Sequence, residues 1–328
     1  MGALAAAGGQ AVTQSILDAP LPQRWGRAQR WKNTLIYGAV RLACAIASQI
    51  PLWLLRPVAA ALGHGAWLCA AGERKRALKH LRAAFPQWPA EGHKRVVRRM
   101  FCHLAIAAAE MARLPELLTG DAGRMPPAHR ELLADILAQG RGAIAVTGHI
   151  GNWELLAQMV AHNGFDITTI AKPLYDPRLT RFVQRRRSAG GLKIIWRDKN
   201  AGGTRELLRA IKGGGILAML IDQDTTVPGT FVPFFGRPAH TPRAAAALAL
   251  RTGVPVIVGW NHRHGGQHRF HFERCPLPQP SGDRETDVRN LTALLTQRLE
   301  EAIRKYPEQW VWMHRRWRKC PPEPSTLP

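Results

Sequence analysis

The chain has 328 residues, of which 46% are hydrophobic, so it is long enough to bury a substantial core. Its 46 Lys and Arg exceed its 23 Asp and Glu by 23 charges, and an excess of this size indicates a negatively charged partner. Eleven Trp, together with the absence of zinc-finger spacing or an RNA-binding signature, favour an anionic membrane surface over nucleic acid as that partner.

The N-terminal region combines basic and apolar segments. Residues 1–33 begin with an Ala/Gly-rich run that lacks the early positive charge of a signal peptide, and we expect a flexible basic leader. Two apolar stretches of 14 residues, Leu42–Leu55 and Pro57–Ala70, are each shorter than the ~20 residues that cross a bilayer. Because both flanks are basic, residues 34–72 are expected to dip into the cytoplasmic leaflet as a helical pair, with Arg56 snorkelling towards headgroups. Two core helices of a soluble domain are the alternative.

The remaining residues, 73–320, are predicted to form one domain, followed by a tail at 321–328. Helical periodicity covers residues 94–118, and a second helix follows the Pro-Pro pair at 126–127. From residue 143 onwards, short apolar strands alternate with helices, which predicts an α/β fold with a mostly parallel central sheet flanked by helices. The predicted strands are 143–146, 166–172, 192–196, 215–221, 254–260 and 268–273.

Polar side chains follow four of the predicted strands directly. These residues are His149, Lys172, Arg197 and Asp222. Because ligands of open α/β sheets bind beyond the carboxyl ends of the strands, we expect the four side chains to converge on one site there.

The segment VTGHIGNWELL contains a His and a Glu five residues apart, His149 and Glu154. Five helical residues span about 500°, so the two side chains meet only if His149 lies in the loop before the helix. Gly148 and Gly151 allow a tight turn there, and Asn152 is a good N-cap. Glu154 would then accept the Nδ1 proton of His149 and leave Nε2 to act as a base. The N–H groups at the helix start, including those of Gly151 and Asn152, are suited to an oxyanion.

A zinc site is the weaker interpretation of this pair. Helical metal ligands favour an i, i+4 spacing, no third ligand is evident, and the five scattered cysteines form no CxxC pair. Two other classes remain open: a metal-dependent hydrolase that uses His149, Asp222 and Asp224, and a nucleic-acid-binding protein. The second explains the charge but assigns no purpose to Gly148–Glu154 or to the apolar pair.

GHIGNWELL resembles the His-x4-acid motif of the glycerolipid acyltransferase superfamily and, more narrowly, of the lipid A late acyltransferases. The resemblance extends over residues 35–319, with one departure at Ile221, where proline is commoner. Four further segments are similar to this family: AKPL at 171–174, RRRSAG at 185–190, IDQD with FVPFFGRPAHTP at 221–242, and YPEQWVWMHRRWR at 306–318.

The resemblance implies an O-acyltransferase that needs no cofactor or metal, with His149 as the general base and Glu154 as its partner. The donor would be a fatty acyl thioester on acyl carrier protein, a very acidic protein that suits the basic chain. The acceptor would be a hydroxyl of a lipid A precursor, with another lysolipid as the alternative. Such an enzyme would work at the cytoplasmic face of the inner membrane.

Basic and acidic residues near the motif give a second set of expectations. Asp222 and Asp224 are expected to hold arginines rather than a divalent cation. The residues expected to bind phosphates of the acceptor are Lys172, Arg185, Arg187 and Arg197. A solvated helix face is the alternative for each of them and the preferred interpretation of Arg186.

Aromatic residues near the C-terminus are expected to be mostly core. Phe231, Phe234 and Phe235 either line an acyl-chain tunnel or pack in the core, and the core is favoured. Trp310 and Trp312 are expected to be buried. The residues after them, 315–318, are interpreted as an interfacial patch.

Overall fold

The computed structural model describes residues 25–197 and 203–321. Most of the predicted leader and nearly all of the tail lie outside these residues. The helices are α1 (Arg27–Ala47), α2 (Leu52–Cys69), α3 (Ala71–Ala84), α4 (Ala90–Glu110), α5 (Leu114–Thr119), α6 (Pro127–Leu137), α7 (Trp153–His162), α8 (Pro177–Ala189), α9 (Gly203–Lys212), α10 (Ala244–Thr252) and α11 (Arg284–Lys305). The strands are β1 (Ala143–Thr147), β2 (Ile167–Ala171), β3 (Lys193–Trp196), β4 (Ile216–Leu220), β5 (Gly229–Phe234), β6 (Arg237–Pro242), β7 (Val256–His264) and β8 (Gln267–Cys275).

The predicted α/β architecture is confirmed. A six-stranded sheet has the order β3-β2-β4-β1-β7-β8, and every pairing is parallel except that of β7 with β8. Strand β1 therefore lies between β4 and β7, although β2 and β3 separate it from β4 in the chain. This order places the residues after β1 and those after β4 side by side at one edge of the sheet.

The core lies on both faces of this sheet. On one face, Met100 of α4 and Leu295 of α11 belong to a buried cluster that includes Trp310. On the other face, Leu133 of α6 and Met159 of α7 belong to a second cluster. Apolar residues therefore cover both faces, as expected for the continuous apolar strands β1 and β4.

Strands β5 and β6 form a hairpin in a segment for which the sequence predicted no strand. Pro233 lies opposite Pro238 in the register, so neither proline interrupts a longer sheet. Phe235 and Gly236 have φ values of 51° and 69°, which is the pair of positive angles that a two-residue hairpin turn requires. The two prolines conceal this hairpin in the sequence.

The break between the N-terminal helices lies at residues 48–51 rather than at Arg56. Pro51 precedes the first residue of α2, and Pro57 is accommodated inside that helix. Arg56 does not reach towards headgroups; its Nε donates to Oε1 of the buried Glu110 at 2.9 Å. Helix α2 packs so closely on α4 that a Cβ added at Gly63 would lie 2.6 Å from Phe101 O.

Helices α1 and α2 expose a row of large apolar side chains: Trp31, Leu35, Ile36, Leu42, Ile46, Trp53, Leu54, Val58, Leu62 and Leu68. Within the described residues, no single helix has the length and apolarity needed to cross a membrane. Helices α2 and α3 together pass that test by length and composition, but they meet at a 90° bend.

Candidate active site

The loop between β1 and α7 holds His149 in a backbone that requires two glycines. A Cβ at Gly148 would lie 3.0 Å from Asp222 Oδ2, so glycine permits the close approach of that carboxylate. Gly151 has φ 62°, and a Cβ there would lie 2.0 Å from Asn261 O. Asn152 is the N-cap of α7, as predicted, and its Oδ1 accepts from Leu155 N at 3.2 Å.

His149 is paired with Asp222, which follows the neighbouring strand β4. His149 Nδ1 donates to Asp222 Oδ1 at 2.8 Å, and the backbone N of His149 donates to Oδ2 at 2.6 Å. Trp310 Nε1 donates to the same Oδ2 at 2.8 Å. Burial alone would raise the pKa of Asp222, but the charge and hydrogen bonds of His149 and the Trp310 bond hold it well below its usual value. A charged carboxylate on Nδ1 leaves the lone pair on Nε2 of His149.

Glu154 does not contact His149 Nδ1 as expected from the sequence. It forms a two-pronged ion pair with Arg187 of α8, in which Arg187 Nε donates to Oε2 at 2.8 Å and Nη2 to Oε1. Gln158 Nε2 donates to the backbone carbonyl of Arg187 at 3.0 Å, which fixes the backbone of α8 at this residue. The physical reason is strand order: Asp222 stands beside the His149 backbone as well as its ring, whereas Glu154 lies on the side of α7 that meets α8.

One of the expected oxyanion donors at the start of α7 is already engaged. Gly151 N donates to Gln309 O at 2.9 Å, so this N–H is not free for a ligand. The side-chain amide of Asn152 donates to Glu110 Oε2 at 3.0 Å. His103 Nε2 also donates to Gly151 O at 2.9 Å. These bonds fix the position of the loop instead of serving a ligand.

A buried charged cluster supports this loop from behind. Glu110 is fully buried and accepts from Arg263 Nη2 at 2.6 Å and from His268 Nε2 at 3.1 Å. Burial would raise the pKa of Glu110, but His268 and Arg263 lower it well below its usual value. Burial together with the Arg263 charge lowers the pKa of His103 to about 4. The cluster therefore joins α2, α4, β7 and β8 to the cap of α7.

Two residues at the site were not predicted from the sequence, Gln223 and His314. Gln223 Nε2 lies 3.0 Å from His149 Nε2 and 2.6 Å from His314 Nε2. The imidazoles of His149 and His314 have centroids 5.1 Å apart. Burial, followed by the His149 charge, lowers the pKa of His314 to about 4, so this ring is neutral at pH 7. Gln223 belongs to the IDQD segment and His314 to the C-terminal segment, so the motifs contained both residues without indicating their roles.

A cavity of about 620 Å³ opens beside His149. Its apolar part lies between the sheet and α7, with Ala145 and Ala218 contributed by the strands and Leu156 and Val160 by the helix. Val40 of α1 lines it as well. Its polar part at the carboxyl edge of the sheet is lined by His149, Glu154, Lys172, Arg186, Arg187, Arg197 and Gln223. The volume lies within the range of small-ligand sites.

The structure separates the basic residues that were grouped in the sequence. Lys172, Arg187 and Arg197 line the cavity, whereas Arg185 is an exposed residue of α8 outside its lining. Arg186 is not a solvated side chain, because it lines the cavity and its Nη1 donates to Met111 O at 3.1 Å.

The two aspartates of the IDQD segment serve different partners. Asp222 orients His149, whereas Asp224 Oδ2 accepts from Lys319 N at 2.8 Å and Oδ1 lies 3.3 Å from His240 Nδ1. Arg318 Nη2 lies 3.8 Å from Asp224, but neither aspartate holds any of the predicted phosphate-binding residues. Among the described residues, no group of three or more His, Cys, Asp or Glu is arranged to hold a metal ion.

The aromatic residues near the C-terminus are mostly core. Phe234, Phe235, Trp310 and Trp312 are buried, and none of them lines the cavity. Arg316 contradicts the predicted interfacial patch, because it is fully buried and donates from Nη1 to His240 O at 2.6 Å. Burial lowers its pKa to about 10.

The sequence profile of the bacterial lipid A biosynthesis acyltransferase family matches residues 29–319. A phosphatidylinositol mannoside acyltransferase of Mycolicibacterium smegmatis is 28% identical over 237 residues, which cover 70% of this chain and 74% of that protein. A phosphatidylinositol mannoside acyltransferase of Mycobacterium tuberculosis is 28% identical over 189 residues, covering 55% and 56%. The lipid A biosynthesis palmitoleoyltransferase of Escherichia coli is 25% identical over 269 residues, covering 76% and 80%.

Proposed function

The chain belongs to the bacterial lipid A biosynthesis acyltransferase family, and we propose that it transfers a fatty acyl chain from acyl carrier protein to a hydroxyl of a lipid A precursor. The observation that carries the proposal is the His149–Asp222 pair at the polar end of an apolar cavity of about 620 Å³. A base beside an apolar cavity is the arrangement needed to activate a hydroxyl next to a fatty acyl thioester.

His149 acts as the general base through Nε2. Asp222 holds the proton on Nδ1 and stabilises the imidazolium that forms when Nε2 takes a proton from the acceptor hydroxyl. The hydroxyl oxygen then attacks the thioester carbon, and the carbonyl electron pair moves onto oxygen. When the carbonyl re-forms, the C–S bond breaks and the thiolate receives the proton from His149 Nε2.

Glu154 supports the site through Arg187. The two-pronged ion pair fixes the guanidinium of Arg187 in the lining of the cavity, so that positive charge faces its polar end. Lys172 and Arg197 add further positive charge there. We assign these three basic residues to the phosphate groups of the acceptor, as planar guanidinium groups and lysine suit phosphate oxygens.

The acyl chain occupies the apolar part of the cavity. Small side chains at Ala145, Ala157 and Ala218, together with Gly259, leave the space between α7 and the sheet open. The walls are hydrocarbon, so a fatty chain is stabilised there by removal from water.

The exposed apolar side chains of α1 and α2 support a place at the membrane surface. Trp31 is 71% exposed and Trp53 is 76% exposed, as expected of side chains that insert into the interface. Arg27 and Arg30 on α1 would add attraction to anionic lipid. We place the enzyme on the cytoplasmic face of the inner membrane, where the acyl carrier protein donor is available.

A second acceptor class is favoured by a specific observation, since two of the relatives are phosphatidylinositol mannoside acyltransferases. The purified chain in phosphatidylglycerol-containing vesicles is given lauroyl–acyl carrier protein with a lipid A precursor, a phosphatidylinositol mannoside or a lysophospholipid. Mass spectrometry measures the acylated product of each. We expect kcat/KM to be highest for the lipid A precursor; a preference for either of the others would reassign the acceptor.

The identity of the donor is tested by raising the salt concentration and by replacing lauroyl–acyl carrier protein with lauroyl-coenzyme A. Docking of an acidic carrier protein on a basic chain depends on charge, so ~0.5 M salt should lower kcat/KM by slowing association. A salt-independent rate would exclude charge-guided docking. Equal use of lauroyl-coenzyme A would exclude a requirement for the carrier protein.

A further inference from the structure

Gln223 lies beside the position at which the reaction proposed above would take place. Its side-chain nitrogen lies 3.0 Å from His149 Nε2, the atom assigned to accept the hydroxyl proton, and 3.2 Å from His149 Nδ1. Because it is almost equally far from both ring nitrogens, it lies over the face of the imidazole and leaves the Nε2 lone pair open. The oxygen of an acceptor hydroxyl bound to His149 Nε2 would lie at a similar distance from Nε2. The hydroxyl and the Gln223 amide are therefore immediate neighbours during transfer.

The orientation of this amide follows from the protons around it. His149 Nδ1 carries its proton towards Asp222, so Nε2 presents its lone pair in the plane of the ring, away from the Gln223 nitrogen. One N–H of the amide reaches His314 Nε2 at 2.6 Å. One hydrogen of the Gln223 NH2 group thus points at His314, the other lies over the His149 ring, and the amide oxygen faces away from His314.

Binding of the acceptor leaves the bond to His314 in place. The hydroxyl meets the lone pair of His149 Nε2 in the plane of the ring, while the second N–H of Gln223 stays over the ring face. This N–H lies close to Nε2 in a half-buried residue that lines the cavity. It is a preorganised donor for negative charge that develops there.

We propose that the Gln223 amide donates a hydrogen bond to the oxyanion of the tetrahedral intermediate, and that His314 is a positioning residue that holds the amide in this orientation. The proposal rests on the acyltransfer proposed above. In the step, the hydroxyl oxygen bonds to the thioester carbon and its proton goes to His149 Nε2. The carbonyl pair moves to oxygen, where Gln223 N–H binds it until the C–S bond breaks and the thiolate takes the proton.

The engagement of other donors supports this assignment. Gly151 N–H, which the sequence suggested for the oxyanion, donates instead to Gln309 O, and the Asn152 side-chain amide donates to Glu110 Oε2. The low pKa of His314, about 4, keeps its imidazole neutral at pH 7 and able to accept from Gln223.

Steady-state kinetics with lauroyl–acyl carrier protein test the role of Gln223. Gln223→Ala should lower kcat by about 10²–10³-fold with KM changed little, because the bond is made only after the hydroxyl binds. Gln223→Glu keeps the size of the side chain and should be equally slow. Gln267→Ala, at an exposed glutamine of β8, is the matched control and should match the wild type. A folded Gln223→Ala protein with wild-type kcat would overturn the proposal.

A double-mutant comparison tests the role of His314. His314→Ala should lower kcat by about tenfold or more, and His314→Gln, whose oxygen can accept from the same amide, should restore most of it. Gln223→Ala with His314→Ala should be no slower than Gln223→Ala alone, since His314 acts through Gln223. Additive losses would mean that His314 acts independently and would overturn its positioning role.

Ring-nitrogen NMR of the resting protein separates failure of this inference from failure of the proposed function. We expect Nε2 of both His149 and His314 to be unprotonated, and both signals to shift in Gln223→Ala. A protonated His314 Nε2 would be a donor and would require the Gln223 amide oxygen, instead of its NH2 group, to face His314. That result would overturn the inference, whichever acceptor the enzyme uses. If His149→Ala abolishes transfer while Gln223→Ala does not affect it, the function stands and the inference fails.

Discussion

Replacing Asp222 by Asn should remove the base without removing the side chain. His149 N and Trp310 Nε1 both donate to Asp222 Oδ2, whereas His149 Nδ1 donates to Oδ1. In Asp222→Asn the amide oxygen takes the Oδ2 position and keeps two of the three bonds. The NH2 group then faces His149 Nδ1, which must present a lone pair to it. The proton moves to Nε2, and the general base is lost.

The size of this effect follows from the loss of general-base catalysis. Such a loss costs about 10²–10⁴-fold in rate, or roughly 3–5 kcal/mol in the barrier. Initial rates of acyl transfer measure it, and thermal melting verifies that the variant is folded. Asp224→Asn, which replaces a buried carboxylate two residues away, is the matched control and should retain most of the activity.

Glu154→Gln distinguishes the two possible partners of the base. Glu154 and Arg187 are partly exposed, so loss of their ion pair should cost less than about 1 kcal/mol of stability and lower kcat much less than Asp222→Asn does. An Asp222→Asn enzyme within tenfold of the wild type, beside an inactive Glu154→Gln enzyme, would refute the reasoning and restore the pairing expected from the sequence.

Three further predictions concern the membrane, the buried cluster and pH. The double substitution Trp31→Glu and Leu35→Glu should weaken binding to phosphatidylglycerol vesicles by at least tenfold in a sedimentation assay, because each side chain contributes about 1.5–3 kcal/mol when buried. Leu277→Glu, at another exposed leucine, is the control. Equal effects of the two changes would contradict the assignment of α1 to the membrane surface. Glu110→Ala should lower the unfolding free energy by about 3–5 kcal/mol in urea titrations, since it leaves buried cations unpaired; a change below 1 kcal/mol would contradict this. Three histidines have a pKa near 4 in the folded protein, His103, His262 and His314, whereas unfolded histidines take up a proton below about pH 6.5. The urea concentration at the unfolding midpoint should therefore decrease as the pH is lowered from about 6.5 to about 4. A midpoint that stays constant or rises over this range would contradict the prediction.

The sequence was sufficient for the features that depend on local pattern. Alternating apolar strands and helices predicted the α/β sheet, and the run after β1 predicted His149 in a glycine turn with Asn152 as the cap. These features depend on residues close together in the chain: glycine allows the turn, and asparagine satisfies the helix N–H groups.

The features that were missed depend on strand order and on long-range contacts. The sequence predicted Asp222 and His149 at one edge of the sheet, but not that Asp222, rather than Glu154, accepts from His149 Nδ1; that contact arises because β4 pairs with β1, which no local pattern indicates. His314 and Gln223 are brought together across 91 residues by the C-terminal segment. Arg56 looked like a membrane-facing charge because its buried partner, Glu110, lies 54 residues away. Charge and hydropathy along the chain do not indicate which residues, far apart in the sequence, meet in the fold.

The most direct test of the account is acyl transfer by the full chain with and without His149. Purified wild-type protein in phosphatidylglycerol-containing vesicles is given lauroyl–acyl carrier protein and a lipid A precursor, and mass spectrometry measures the precursor that has gained one lauroyl group. We expect this product from the wild type and at least a 100-fold lower rate from His149→Gln with an unchanged melting temperature. Product formation by His149→Gln at the wild-type rate would contradict the account.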